Sequence, residues 1–364
     1  MEATFEKMFT VYGGQFGSEG KGQIVRYITG ELVNKGRVYA YRIGGPNAGH
    51  TFYIGEDKIV TCQIPGPMFL APSVVGIIGP EGVISPGMLA RELQDLVQHR
   101  QRTNGGRGFQ TLLIDQSAAI ITDEQLAREA SLVKNIGSTG KGVGAATADK
   151  VMRTGKTAKD YDFKTITDKY DLFIDIKIVD TIGWVQKQKN KGPAYAIVEG
   201  TQGAGLSLHT SGYYPHSTSR ECTPQGIWAG CGLHPGMAKE SESVMVIRTY
   251  PIRVAGPSGP MTNELTWEEV SRRVGREVKE ITTVTKNTRR VSEIDIPELE
   301  RTIAYTRPDA IALTFLDYVN SDIYKKDPRG NTLSQMYVSS IEQLLDTPVK
   351  YVGTGEGYVY QWRV

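Results

Sequence analysis

Short apolar runs recur along the chain, separated by stretches in which apolar residues return every three or four positions. The runs are MFTVYGG (8–14), RVYAYRIGG (37–45), SVVGIIG (73–79), TLLIDQS (111–117), AYAIVEG (194–200), SVMVIRTYPI (243–252), AIALTFLD (310–317) and VKYVGTG (349–355). Several carry Val and Ile at both alternate positions, the pattern of strands covered on both faces. Between them, SPGMLARELQDLV opens a helix with Ser85 as candidate N-cap and Pro86 in the first turn. TWEEVSRRV opens another, with the Thr-x-x-Glu of a capping box at Thr266 and Glu269. The alternation predicts an α/β fold with a mainly parallel central sheet flanked by helices. TFYIGEDKIVTCQI (51–64) alternates around Gly-Glu-Asp instead and predicts a β-hairpin appended to that sheet. TNGGRG (103–108) and NKG (190–192) read as surface loops, and with no repeat and no linker of shifted composition, residues 1–364 are expected to form one large domain.

Composition narrows the function classes. Lys and Arg total 42 against 40 Asp and Glu, with no long basic or acidic run, which argues against a sequence-independent grip on nucleic acid. No apolar stretch approaches the ~20 residues of a membrane helix, and the N-terminal MEATFEKMFTVYGG lacks a signal-peptide core. Three cysteines, Cys62, Cys222 and Cys231, suit a reducing compartment, so a soluble cytoplasmic protein is expected. Cys231-Gly-Leu-His234 has no second pair at zinc spacing. The 41 glycines exceed the usual ~7% and cluster in short loops, as tight turns and ligand loops require.

Two of those loops carry candidate chemistry. GGQFGSEGKGQ (13–23) lies between an apolar strand and the helical pattern KGQIVRYITGEL, placing backbone N–H groups at a helix N-terminus, where an anion is favoured. It is P-loop-like without being a strict Walker A, because Gln15 stands where that pattern begins with Gly. RIGGPNAGHTF (42–52) also follows a strand; its glycines allow close approach, Asn47 can read a base or phosphate, and His50 can act as an acid or hydrogen-bond donor. Taken singly, each also reads as an ordinary strand-to-helix turn and a structural histidine.

Together the two loops resemble the opening of the adenylosuccinate synthetase family, which shows Gly-Asp-Glu-Gly-Lys-Gly followed by Asn-Ala-Gly-His-Thr. The resemblance continues in GSTGKGVGAATADKVMR (137–153), VEGTQGAG (198–205), YYPHSTS (213–219), TTVTKNTRRVSEID (282–295), LTFLD (313–317) and VGTG (352–355). It implies a P-loop NTPase-like single-domain enzyme, homodimeric, that joins aspartate to the 6-oxo position of a purine nucleotide using a nucleoside triphosphate and Mg2+. On that resemblance Gly17, Ser18, Glu19, Gly20, Lys21, Gly22, Gly49, His50 and Thr51 form the triphosphate loops. Lys21 stabilises transferred charge, His50 acts on the purine 6-oxygen, and Gly49 and Ser18 occupy the metal-binding positions. Arg289, Phe315, Asp317, Gly353, Thr354 and Gly355 complete the donor site; Asn47, Ser138, Thr139, Gln202, Thr218 and Asn287 hold the acceptor; and Arg153 reaches the neighbouring subunit's acceptor phosphate. Thr283, Val284, Thr285, Lys286, Asn287 and Arg289 bind the amino acid, Arg289 being suited to a bidentate carboxylate contact.

Three departures from the family pattern modify that expectation. Ser18 replaces the acid that takes the proton from purine N1 and helps bind magnesium, and a hydroxyl without a base does neither readily. A shorter neutral side chain leaves room for the 2-amino group of guanine. Asn287 replaces an arginine near the acceptor ribose, which favours a deoxynucleotide, and Phe315 replaces a lysine that lies along the guanine of GTP, which points to ATP or dATP. These departures resemble the phage-encoded branch of the family, whose acceptor is dGMP and whose product serves 2-aminoadenine DNA. The competing readings are an IMP- and GTP-using synthetase and a nucleotide-binding regulator without catalysis.

Overall fold

The computed structural model describes residues 3–103, 110–130, 139–166, 174–188, 191–281 and 287–363. Ten strands form its main sheet: β1 (Phe5–Gly13), β2 (Arg37–Arg42), β3 (Val75–Ile78), β4 (Gln110–Asp115), β5 (Ile174–Val179), β6 (Ala194–Glu199), β7 (Ala238–Arg248), β8 (Ala310–Thr314), β9 (Val349–Gly353) and β10 (Val359–Gln361). Their spatial order is β10-β9-β8-β7-β1-β6-β2-β3-β4-β5, and every neighbouring pair is parallel except β10 against β9.

All eight apolar runs lie in this sheet. Alternation along β1 shows why both faces of these strands are apolar. Phe9 and Val11 join one core with the helices α1 (Lys21–Leu32) and α2 (Pro86–Arg102), whereas Met8 and Tyr12 join the opposite core. That second core is closed by α3 (Pro224–Cys231), α4 (Ile296–Thr306) and α5 (Thr332–Leu345). A sheet covered twice leaves its polar chemistry to the strand ends.

The strands β5 and β10 were not among the expected runs. β5 alternates Ile174, Ile176 and Ile178 with Asp175 and Lys177, the half-exposed pattern of an edge, and β10 is a three-residue edge. The run 243–252 also divides: β7 ends at Arg248, and Ile252–Arg253 enters a separate three-stranded sheet with Glu264–Leu265 and Arg290–Ser292. The predicted hairpin forms from His50–Ile54 and Asp57–Thr61 as its own two-stranded ladder, packed on α1. Gly22 makes that packing possible, since a Cβ there would stand 3.0 Å from the Thr51 carbonyl and 3.3 Å from His50 Cβ. Both predicted helix starts are correct in place and differ in chemistry. Ser85 occupies the N-cap without a side-chain cap bond, its backbone being held instead by the Gln63 amide. Thr266 accepts from Glu269 N, while the Glu269 carboxylate turns away to Arg273.

The chain leaving the hairpin is fixed by one buried acid. Glu92 on α2 accepts from the backbone N–H groups of Cys62, Gln63 and Ile64 at 2.8–3.3 Å. Burial nevertheless holds its pKa above the usual range. Glu92→Ala leaves three donors without an acceptor and is expected to lower unfolding stability by about 3 kcal/mol or more. Urea denaturation measures this, with Glu92→Gln, which keeps an acceptor, losing clearly less; equal losses would refute the assignment.

Candidate functional site

The carboxyl ends of β1, β2, β6, β7, β8 and β9 converge, and the loops that leave them form one site. After β1 the chain turns through Gly17, Ser18 and Gly20, all with positive φ (89°, 58° and 87°), before α1 starts at Lys21. This left-handed backbone suits glycine and is tolerated by Asp or Asn more readily than by Ser. Glu19 is fully buried beneath the loop. Its carboxylate accepts from Gly17 N at 2.7 Å and Gln15 N at 3.3 Å and pairs with Lys21 Nζ at 2.6 Å. Lys21 also donates to the Gln202 carbonyl, tying the loop after β6 to the loop after β1. Ser18, in contrast, is exposed.

His50 opens the hairpin and sits 7% exposed against two buried charges. Its Nδ1 lies 2.5 Å from Glu199 Oε1 and 3.0 Å from Arg42 Nη1, while Arg42 also pairs with Glu199 Oε2 at 2.9 Å. With its proton on Nδ1 the ring donates to this carboxylate. Arg42 is fixed further by the carbonyls of Ala48 at 2.6 Å and Cys62 at 2.8 Å. Burial and the Arg42 charge depress the His50 pKa to about 4, outweighing Glu199. Arg42 and His50 hold Glu199 down at about 2 despite its burial. The resting triad is therefore a neutral imidazole between an arginine and a carboxylate, with Nε2 bonded to none of the described residues.

A third cluster joins the ends of β7 and β8. Arg248 is wholly buried, pairs with Glu280, donates to the Ser18 carbonyl at 3.1 Å, and lies 3.8 Å over the Phe315 ring. Gln15 clamps the Arg248 backbone through both amide atoms, at 2.9 and 3.1 Å. Arg289 is largely buried; burial, helped by the Arg248 charge, lowers its pKa against the opposing pull of Glu280. No described side chain hydrogen-bonds its guanidinium. Asp317, 1% exposed, pairs with Arg276, yet burial raises its pKa to about 6. Thr314 links this cluster to the phosphate loop by donating to the Glu19 carbonyl at 2.6 Å.

The remaining expected residues divide by position. Asn47 Oδ1 and Gln202 Oε1 are buried without a partner among the described residues, as acceptors awaiting a donor would be. Thr218 is half-buried, with its N–H on the Leu206 carbonyl, and Gly49 is exposed beside His50. Thr139 and Asn287 are exposed. Gly353 ends β9, with Thr354 and Gly355 following; Thr354 is buried, and Gly353 packs against Thr314. Arg153 caps the helix Val143–Met152 with φ 64°, next to Val151 and Met152, which are about 70% exposed. Ser138 and Thr283, Val284, Thr285 and Lys286 lie outside the described residues. Sequence reasoning did not single out Arg42, Glu199, Arg248, Arg276 or Glu280. The signal available for four of them was a charge at or near a strand's carboxyl end or in the amino-acid-binding segment's flank; Arg276 had none.

The adenylosuccinate synthetase family model matches residues 10–177 and 158–323. An adenylosuccinate synthetase of Pyrococcus horikoshii is 31% identical over 355 residues, covering 95% of each chain. The N6-succino-2-amino-2'-deoxyadenylate synthase of Vibrio phage phiVC8 is 29% identical over 353 residues, 94% of this chain and 93% of that one. Among solved structures, cyanophage S-2L succinoaminodeoxyadenylate synthetase (PurZ), bound to dGMP and dATP as an energy donor, superposes with a TM-score of 0.78 at 26% identity over 99% of this chain and 96% of that one. The fold is likewise that of Plasmodium falciparum adenylosuccinate synthetase, TM-score 0.75 at 22% identity over 95% of this chain and 97% of that one.

The His50 environment makes a pH prediction. Unfolded His50 titrates near 6.5 and the folded residue near 4, so between these values the unfolded chain binds more protons. Stability from this group is complete above pH 6.5 and falls as pH drops toward 4. Asp317 runs oppositely, its raised pKa favouring the folded state as pH falls through 6. Comparing urea unfolding of wild type with His50→Asn isolates the histidine. Wild type is expected to lose a few kcal/mol more between pH 6.5 and 4, and parallel profiles would contradict the neutral resting state.

Proposed function

The chain belongs to the adenylosuccinate synthetase family of C–N-forming ligases, and within it we propose that this member joins L-aspartate to C6 of dGMP at the expense of ATP or dATP. The observation that carries this reading is Ser18. It stands exposed in left-handed backbone in the position of the family's acid, while Lys21, His50 and Arg289 are retained. Aspartate would suit that backbone better than serine, so conformation does not explain the exchange. Space beside N1 for a guanine 2-amino group does. Asn287 in place of the ribose arginine fits a deoxynucleotide, and the two phage relatives carry matching names. Residues 1–364 act as one domain in this reading.

The proposed reaction has two steps. The 6-oxygen takes the γ-phosphoryl group as the donor's Pγ–O bond breaks, and the aspartate amine then forms the C6–N bond as C6–O breaks and phosphate leaves. Glu199 fixes the His50 proton on Nδ1 and turns Nε2 to the acceptor; negative charge developing on the 6-oxygen raises the ring's proton affinity, so that Nε2 takes a proton from solvent and donates it in a hydrogen bond to that oxygen. Lys21, released from Glu19, stabilises the transferring group, and the guanidinium of Arg289 receives an aspartate carboxylate. With Ser18 unable to act as a base, the N1 proton passes to solvent or to substrate phosphate.

Among the described residues no three His, Cys, Asp or Glu side chains cluster as a metal cage. The Gly49 carbonyl and Ser18 hydroxyl, both exposed, are a sparse donor set that fits Mg2+ carried largely by the triphosphate and water. When bound, that ion neutralises phosphate charge. The exposed Val151, Met152 and Arg153 fit a homodimer in which Arg153 reaches the neighbouring acceptor phosphate. No described helix is long and apolar enough to cross a membrane.

Aspartate-dependent phosphate release with dGMP and with IMP tests the acceptor, with dGMP expected to turn over at least tenfold faster. Ser18→Asp is expected to reduce turnover of dGMP far more than of IMP. Faster turnover of IMP by the wild type would identify an ordinary synthetase, and nucleotide binding without any succinylated product a regulator.

A further inference from the structure

One ion pair contains two buried atoms without partners. Arg276 donates through Nη2 to Asp317 Oδ2, while Arg276 Nε and Asp317 Oδ1 bond to nothing among the described residues. A buried donor or acceptor left unmatched is unfavourable by about 1–3 kcal/mol, and here one of each occurs in a single pair. The pair also has a defined place. Asp317 lies in the turn after β8, three residues from Thr314, which bonds the phosphate loop. Arg276 arrives from the turn that ends the helix Trp267–Val274. Tyr324 covers its guanidinium at 4.1 Å and is tethered to Glu356 at 2.6 Å. Gly355 lies against that tyrosine, a Cβ there standing 3.0 Å from its ring.

We propose that the Arg276–Asp317 pair is the donor-base reader and that it selects adenine over guanine. The inference rests on the donor site assigned above and adds Arg276 as its specificity-determining residue. Adenine presents an amino donor at C6 beside an acceptor at N1, which match Asp317 Oδ1 and Arg276 Nε. Guanine in the same pose sets its 6-oxygen against the carboxylate and its N1–H against the guanidinium N–H, two like-with-like contacts. A free carboxylate would accept guanine's N1–H and 2-amino group with its two oxygens. Arg276 removes that option by occupying Oδ2. Tyr324 is the side chain that moves for a base to reach the pair.

Binding of non-hydrolysable ATP and GTP analogues, measured by titration calorimetry without acceptor or aspartate, tests the pair independently of the reaction. Wild type is expected to bind the ATP analogue at least tenfold more tightly. Arg276→Met is expected to reverse or abolish that ratio by weakening ATP and strengthening GTP binding. Because Arg276→Met leaves a buried carboxylate without its cation, Arg276→Met with Asp317→Asn serves as the neutral companion. The asparagine amide pairs with the adenine edge in one orientation and, turned over, with the 6-oxygen and N1–H of guanine in the other, so this double variant is expected to bind the two analogues about equally. A folded Arg276→Met protein with the wild-type ratio, an equal loss of both analogues, or a double variant that keeps the wild-type preference for ATP overturns the proposal. Failure of wild type to make product from dGMP, with the analogue ratios as stated, would sink the acceptor assignment and leave the base reader standing.

Discussion

The wholly buried Arg248 is the contact on which the site's assembly depends. Its guanidinium reaches Glu280 and the Ser18 carbonyl while lying on Phe315, and its backbone is clamped by Gln15 of the phosphate loop. One side chain thus sets the spacing between the phosphate loop, the turn after β8 and the segment leading to Arg289. Removing one member of a buried pair leaves the other charge stranded, a loss of about 3–5 kcal/mol. The same contact bears on Phe315. A lysine there would set a second cation against Arg248, so the residue at this position is coupled to the integrity of the loop after β1.

Arginine burial is a theme of the whole active face. Arg42, Arg248 and Arg253 are among the largest fully buried side chains, and each lies at or just beyond the carboxyl end of a strand or in the small sheet beside it. Arg42 and Arg248 are balanced by Glu199 and Glu280. Arg253 stacks over Phe16 of the phosphate loop at 4.1 Å, and burial lowers its pKa to about 10. Two of the three buried arginines thus bring their own carboxylates, and Arg253, set on an aromatic ring, is the one of them without an acidic partner at salt-bridge distance among the described residues.

Much of this was legible in the chain. Strands buried on both faces carry a continuous apolar signal, so each of the eight expected runs supplies a strand of the main sheet, and segment 13–23 has the strand-to-helix setting expected of it. The edge strands β5 and β10 were harder, because a half-exposed or three-residue strand needs few apolar positions. Within the site, residues sitting inside glycine-rich loops stood out, whereas their buried counter-charges did not. Glu199 and Arg42 end apolar runs and look like the polar edge of a strand until the fold places both on His50. Arg276 lies outside every motif and acquires meaning only through a contact across 41 positions.

Glu19 gives the phosphate loop an internal counter-ion. Its carboxylate occupies loop N–H groups and Lys21, so under the proposed function an arriving donor would not fill an empty positive nest but displace an anion the protein supplies. Binding is therefore an exchange. A monovalent or weakly coordinating ion offers little over the carboxylate already there, whereas a triphosphate, with more charge and more acceptor oxygens, does. Under the proposed function the loop would act as a threshold that discriminates among anions by charge density, freeing Lys21 from Glu19 only when a ligand able to cross that threshold arrives.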